Sequence, residues 1–146
     1  LVILASEDIG NADPQGLPLS MSGFQAVHMI GMPEAAIILA QVTTYLAGAE
    51  KSNASYKSIL KAQKKAREKN LPDVPMHLRN APTDLMKKMD HGRDYKYPHL
   101  YPENFINENY LPKEINPEFY RPSLQGYESF ILKRLKKCWP KRYENK

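Results

Sequence analysis

Three carboxylates, Glu7, Asp8 and Asp13, fall close together near the start of the chain. Clustered carboxylates can hold a hard cation, but calcium loops place their ligands at fixed intervals, and that spacing is absent here. Asp13 is explained more simply as a helix N-cap followed by Pro14 at the first helical position, where the missing N–H costs nothing. Glu7 and Asp8 then need only a basic neighbour, Arg79 or Lys51. His28, His77, His91 and His99 show no zinc-ligand spacing and have no cysteine pairs beside them. His28 sits beside Val27 and is expected in a core or an interface. Cys138 lies on an apolar stripe and is expected as a core thiol. No nucleophile motif, no G-x-x-x-x-G-K-[ST] and no G-x-G-x-x-G occurs, and Gly10–Pro14 lacks the second glycine and the lysine of a phosphate loop. The residues therefore predict no catalytic, cofactor-binding or metal site in this chain.

The other chemistry available is cationic. Lys51 to Asn70 carries seven basic residues against one acidic, and residues 129 to 146 repeat that balance. Such runs can neutralise phosphates and release counterions. The candidate DNA contacts are Lys57, Lys61, Lys64 and Lys65 in the first run and Lys133, Arg134, Lys136 and Lys137 in the second. The alternative is a solvated helix face, in keeping with a net charge of only +5.

The elements that must position these residues are helical. An apolar run from Leu1 to about Asp8 reads as the end of a helix with Gly10 as its cap. It begins without Met and without a helix-start signal, so the chain is expected to be a piece of a longer protein. From Asp13 a helix carries Leu17, Met21, Phe24, Val27 and Ile30 at spacings of three or four, a stripe expected to face the core. Gly31 ends it and Pro33-Glu34 restarts the chain, so the next helix is an antiparallel neighbour. That helix, Pro33 to Gly48, is apolar nearly all round and is expected to be buried on several sides, partly against another subunit. Ile37, Ile38, Val42 and Tyr45 are its candidate interface residues. Ser52 is read as the cap of a helix reaching Asn70, with a stripe of Tyr56, Ile59, Leu60, Gln63 and Ala66. A short helix at 82–89 is assigned Asn80 as its cap.

From 90 to 122 the pattern fails. Pro98, Pro102, Pro112, Pro117 and Pro122 divide it, while Tyr95, Tyr97, Tyr101, Phe105, Tyr110, Leu111, Phe119 and Tyr120 recur. Disordered tails are poorer in aromatics, so an ordered strap is expected, lying across the helices with its rings in the core. Ser123 is read as the cap of a final helix at 123–139 with a stripe of Tyr127, Ile131, Leu135 and Cys138, stopped by Pro140. The length of 146 residues suits one domain. A single cysteine points to a reducing compartment, and no apolar run is long enough to predict a membrane partner.

Several segments form an ordered series. They are Ser6-Glu7-Asp8-Ile9-Gly10 with Ala12-Asp13-Pro14, then Ile30-Gly31-Met32-Pro33-Glu34, Lys51-Ser52-Asn53 and Val74-Pro75. His77-Leu78-Arg79-Asn80-Ala81-Pro82-Thr83, Leu85-Met86-Lys87, Tyr95-Lys96-Tyr97, Tyr110-Leu111-Pro112 and Phe119-Tyr120 complete it. From Leu1 to Gly126 the series resembles the C-terminal region of the replication-associated recombination protein A (MgsA) family, whose eukaryotic relative is the Werner helicase-interacting protein.

The resemblance implies an AAA+ ATPase parent related to clamp loaders, acting at stalled forks and DNA ends, with ATP and Mg bound upstream of this segment. It implies an all-α, compact helical bundle of the post-AAA+, collar-like oligomerisation type. It implies homotetramer assembly, DNA and replication-fork proteins as partners of the parent, and a cytoplasmic, nucleoid-associated location. Residues 1–9 would then end a junction helix. The family usually has Gly-Tyr-Gly-Lys-Gly-Tyr where this chain has Asp90-His91-Gly92-Arg93-Asp94-Tyr95, so two flexible glycines are lost. Glu50 stands in place of a usual Pro.

Overall fold

The computed structural model describes residues 1–115 and 118–143, and among them the fold is all-helical. Pro117 and the last tail residues, Lys146 included, lie outside the described residues. Backbone contacts divide the chain into two compact units, Leu1–Lys65 with Phe119 onward and Ala66–Glu118, where the sequence suggests a single domain.

In the first unit, α1 (Val2–Leu4) runs directly into a π-helical turn, Ala5–Ile9. It ends at Gly10, whose φ is +53°. A side chain there would place its Cβ 2.6 Å from the Ser52 carbonyl oxygen, and the Ser52 N–H donates to the Ile9 carbonyl at 3.2 Å. Gly10 is thus needed both for its backbone conformation and for a close chain crossing. The Asp13 carboxylate accepts from the Gln15 N–H at 3.0 Å, just ahead of α2 (Gly16–Ile30). The Gly31 N–H closes α2 on the Val27 carbonyl. Then α3 (Ala35–Gly48) packs back against α2. Ala5, Ile9, Val42 and Leu46 form the core, with Leu19 and Ala49 against them.

The expected stripe on α2 faces the other way. Leu17, Met21, Phe24 and Ile30 are exposed and Val27 is half-buried, while Gly16, Ser20 and Gly23 are buried. Small residues let α2 and α3 approach closely: a Cβ on Gly23 would lie 2.6 Å from Cγ2 of Val42. The buried Ser20 hydroxyl donates to the Gly16 carbonyl at 2.8 Å, so it carries no unmet polar group inward. Periodicity showed that the large apolar residues share a face, but not what covers that face.

The Ser52 hydroxyl accepts from the Ala54 N–H at 3.2 Å, but the residue flanking α4 (Ala54–Ala66) is Asn53, whose carbonyl accepts from the Lys57 N–H, and not Ser52 as expected. The helix stops at Ala66, short of Asn70, whose φ is +62°. Its expected inward stripe of Tyr56, Ile59, Leu60, Gln63 and Ala66 is exposed too; Ala54, Ser55, Ser58, Ala62 and Lys65 are the residues partly covered. The Ser123 hydroxyl accepts from the Gln125 N–H, and α6 (Glu128–Cys138) begins after Gly126. Gly126, at φ +48°, lies directly against the Ala12 carbonyl, which accepts from the Tyr127 N–H at 2.8 Å. On α6, Cys138 is buried, Ile131 and Leu135 are half-buried, and Tyr127 is exposed at the cap. Pro140 does not simply stop the chain: it opens a further turn, α7 (Pro140–Tyr143), because proline fits a first helical position.

The second unit is built from short pieces. A 3-10 turn at Met76–Leu78 precedes α5 (Asp84–Lys88), whose cap is Thr83, accepting from the Met86 N–H at 3.3 Å, and not Asn80. The Asn80 carbonyl instead faces His91 Nδ1 at 3.3 Å. Pro98–Leu100 and Pro102–Asn104 are single 3-10 turns. Tyr95, Tyr97, Tyr101 and Tyr110 are exposed, against the expectation of rings in a core; Phe105 and Leu111 are half-buried. Prolines cut this stretch into local turns, and local turns present no continuous face for burying rings.

Candidate functional site

The first unit is closed by a buried carboxylate that the sequence did not single out. Glu128 opens α6 and is 0% exposed. Its Oε2 accepts from the Ser52 hydroxyl at 2.6 Å and from the Ser123 N–H at 2.6 Å, and its Oε1 accepts from the Tyr120 hydroxyl at 2.8 Å. Asn11 Nδ2 in turn donates to the Tyr120 oxygen at 3.2 Å and to the Ser55 hydroxyl at 3.1 Å. Burial pushes the Glu128 carboxyl up, but the bonds from Ser52, Ser123 and Tyr120 outweigh it and hold its pKa below the ordinary value. Burial, together with the carboxylate, pushes the Tyr120 phenol up to about 12, against the lowering effect of Asn11.

Both oxygens of Glu128 are occupied, so the group is a lock joining residues 11, 52, 120, 123 and 128 and not an acid or base open to substrate. A capping box would put the Glu three residues after its Ser. Here the interval from Ser123 is five, and the Ser52 partner is 76 residues away. No local signal marks it.

That lock fixes a frame whose α2–α3 hairpin has two unlike faces. Inward are Gly16, Ser20 and Gly23 on α2, and Ala35, Val42 and Leu46 on α3. Outward, Leu17, Met21, Phe24 and His28 follow one another at helical spacing and are all exposed, with Phe24 at 63%. Met29, Ile30 and Met32 are also exposed around the turn, and Ile37 and Tyr45 are exposed on α3.

The four candidate interface residues divide accordingly. Ile37 is 73% exposed and Tyr45 is exposed, its hydroxyl donating to Asp13 at 2.7 Å, which raises the pKa of that phenol. Ile38 is half-buried against Gly23. Val42 is 3% exposed and belongs to the chain's own core, a correction that follows from the helical period. Positions 35, 42 and 46 share one side of α3, 37 lies roughly opposite, and 45 lies on the flank between.

The remaining candidates are placed as follows. Lys57 and Lys61 line one cleft together with Lys51 and Arg121, and Asp8 sits at the same cleft. Lys64 is exposed, and Lys65 is half-buried with an interaction of its own. Lys133, Arg134 and Lys137 are exposed on α6, while Lys136 lines a small pocket with Arg121 and Arg142. Glu7 borders an apolar groove with Val2, Ile3 and Leu17, and Asp13 is engaged by Gln15 and Tyr45. Arg79 pairs with Asp73 at 3.2 Å rather than with Glu7 or Asp8. His28 is exposed on the outward face, His99 lies against the Tyr97 ring, and His77 keeps a buried Nε2. Cys138 is buried.

An all-helical bundle that pairs a locked frame with an open apolar face has the make-up of a helical accessory domain. The family profile described as MgsA AAA+ ATPase C terminal matches residues 1–139, and the chain belongs to that family. It is 41% identical over 137 residues to replication-associated recombination protein A of Coxiella burnetii, covering 92% of this chain and 31% of that protein. It is 41% identical over 134 residues to the Escherichia coli K12 protein of the same name, covering 90% and 30%. ATPase WRNIP1 of Dictyostelium discoideum matches at 41% over 126 residues, covering 85% and 14%. The chain spans about a third or less of the length of the curated relatives it matches.

Proposed function

We propose that this chain is the non-catalytic oligomerisation domain of an AAA+ DNA-dependent ATPase acting in replication-fork maintenance, recombination and DNA repair. The observation that carries the reading is the outward face of the α2–α3 hairpin. Phe24 and Ile37 are 63% and 73% exposed on helices whose inner sides are already packed. Several large exposed apolar side chains on a folded domain point to an interaction surface, and the commonest partner for such a surface is a second copy of the same chain. The names of the relatives, replication-associated recombination protein A and ATPase WRNIP1, support the setting.

On this reading the domain assembles a homotetramer and holds ATPase modules together around DNA. ATP and Mg belong to those modules, replication-fork proteins are further partners, and the protein works in the nucleoid-associated cytoplasm. No helix among the described residues is long and apolar enough to cross a membrane. Light scattering on the chain, beside a Phe24→Asp/Ile37→Asp variant, tests the reading. The parent chain is expected to run as an oligomer and the variant as a folded monomer; a parent chain that is monomeric at micromolar concentration contradicts it.

A further inference from the structure

We propose that the first unit carries its own nucleic-acid track, a row of cations that seats the phosphate backbone of a single strand. The track goes beyond the oligomerisation reading and is independent of subunit number. Lys51, Lys57, Lys61 and Arg121 line a cleft of about 550 Å³ at the start of α4. Arg121 also lines a second pocket with Lys136 and Arg142. The two basic runs, separated by some sixty residues in sequence, therefore border one another through a residue that belongs to neither.

Lys51, Lys57 and Lys61 are exposed and have no carboxylate partner among the described residues. Asp8 is the one acidic residue on the cleft, against four basic ones. Ser52 and Ser123, which also border it, have their hydrogen bonds committed to Glu128, so the wall under the cations is held by the buried lock. Lys57, Lys61 and Lys64 follow one another along α4 over about 10 Å, at about 1.5 Å per residue, a length of about three nucleotide steps for a strand rising about 3.4 Å per nucleotide. The side chain of Phe119 borders the same cleft and supplies a ring for a base to stack on. A shallow cleft with a row of cations suits a repeating phosphate backbone better than an acidic peptide, whose binding rests on anchors buried in apolar pockets.

Binding of a labelled oligothymidylate to the chain, followed by anisotropy, tests the track. Three lysines seated on phosphates predict a slope of log affinity against log salt of about −2.1, roughly a 20-fold loss between 50 and 200 mM. Lys57→Gln/Lys61→Gln is expected to weaken binding at least about tenfold at the lower salt and to leave about a third of that slope. Lys88→Gln/Lys113→Gln removes the same charge from the second unit and is expected to change neither. All four side chains are exposed, so folding is checked by an unchanged helical melt. Equal weakening by both pairs, no binding even at low salt, or displacement of the oligonucleotide by oligoglutamate at equal charge each overturns the proposal.

Discussion

The two sides of the α2–α3 hairpin use the same kinds of residue for opposite ends. The inner side is made of small residues on α2 and medium apolar ones on α3, and it is filled: Leu46 is 2% exposed and Gly23 has no room for a Cβ. The outer side holds the larger residues, Met21, Phe24, Ile37 and Tyr45, and each of them is exposed among the described residues. A chain that folded only for itself would place its bulkiest side chains inside, because burying each stabilises by about 1.5–3 kcal/mol. Here close approach of two helix backbones supplies the core, and the large side chains are left exposed.

The comparison breaks first at the inner side. Leu46→Ala is expected to destabilise the chain by about 3 kcal/mol, because it removes a fully packed side chain and leaves a cavity, as a urea titration reads. If the loss is below about 1 kcal/mol, the inner side is not the packed one.

The lock that holds the frame comes next. Glu128→Gln keeps the volume but offers one acceptor oxygen where three donors converge, and a loss of about 2 kcal/mol is expected. Glu128 titrates below its ordinary value in the folded chain. Its contribution is therefore complete above about pH 4.3 and is lost as pH falls through the lower folded value. Tyr120 is pushed up to about 12, so stability also falls as pH rises from about 10 toward 12. Thermal melts across pH read both limbs, and the Gln variant should lack most of the acid one; an unchanged acid limb removes Glu128 as its source.

Much of this frame was legible in residues that act locally. Gly10 and Gly31 were read as helix punctuation and end their helices, whereas Asp13 and Ser52, read as N-caps, each accept from the N–H two residues on while Gln15 and Asn53 flank the helices. The failures with most bearing on the site were of one kind. Leu17, Met21, Phe24 and Tyr56 have helical spacing, but spacing does not say whether a face meets the same chain or another. Glu128, Tyr120 and Arg121 gain their roles only when distant segments meet. The proline-divided stretch was misread because aromatic content was taken as burial.

A smaller effect lies in the second unit. Asp90 and Asp94 both stand at φ +61°, at two of the three positions where the resemblance places glycine, Gly92 being the third. The backbone is left-handed at both aspartates, a conformation that glycine adopts freely. Asp94→Gly is expected to stabilise that unit by about 0.5 kcal/mol, since the exposed Arg93–Asp94 contact at 3.9 Å offsets little of it. Protection of the 90–95 amides from hydrogen exchange checks it; a decrease goes against the expectation.

The smallest effect on the single chain belongs to the outer side. Ile37→Ala should change the stability of the monomeric Phe24→Asp chain by less than about 0.5 kcal/mol, as for an ordinary exposed position. The same surface should matter most for assembly. The most direct measurement is therefore sedimentation equilibrium of the 146-residue chain across the micromolar range. A four-chain species that Phe24→Asp/Ile37→Asp reduces to one folded chain is the predicted result. A single-chain mass at every concentration, with the variant indistinguishable from the parent, would contradict an outer face built for other copies of this chain.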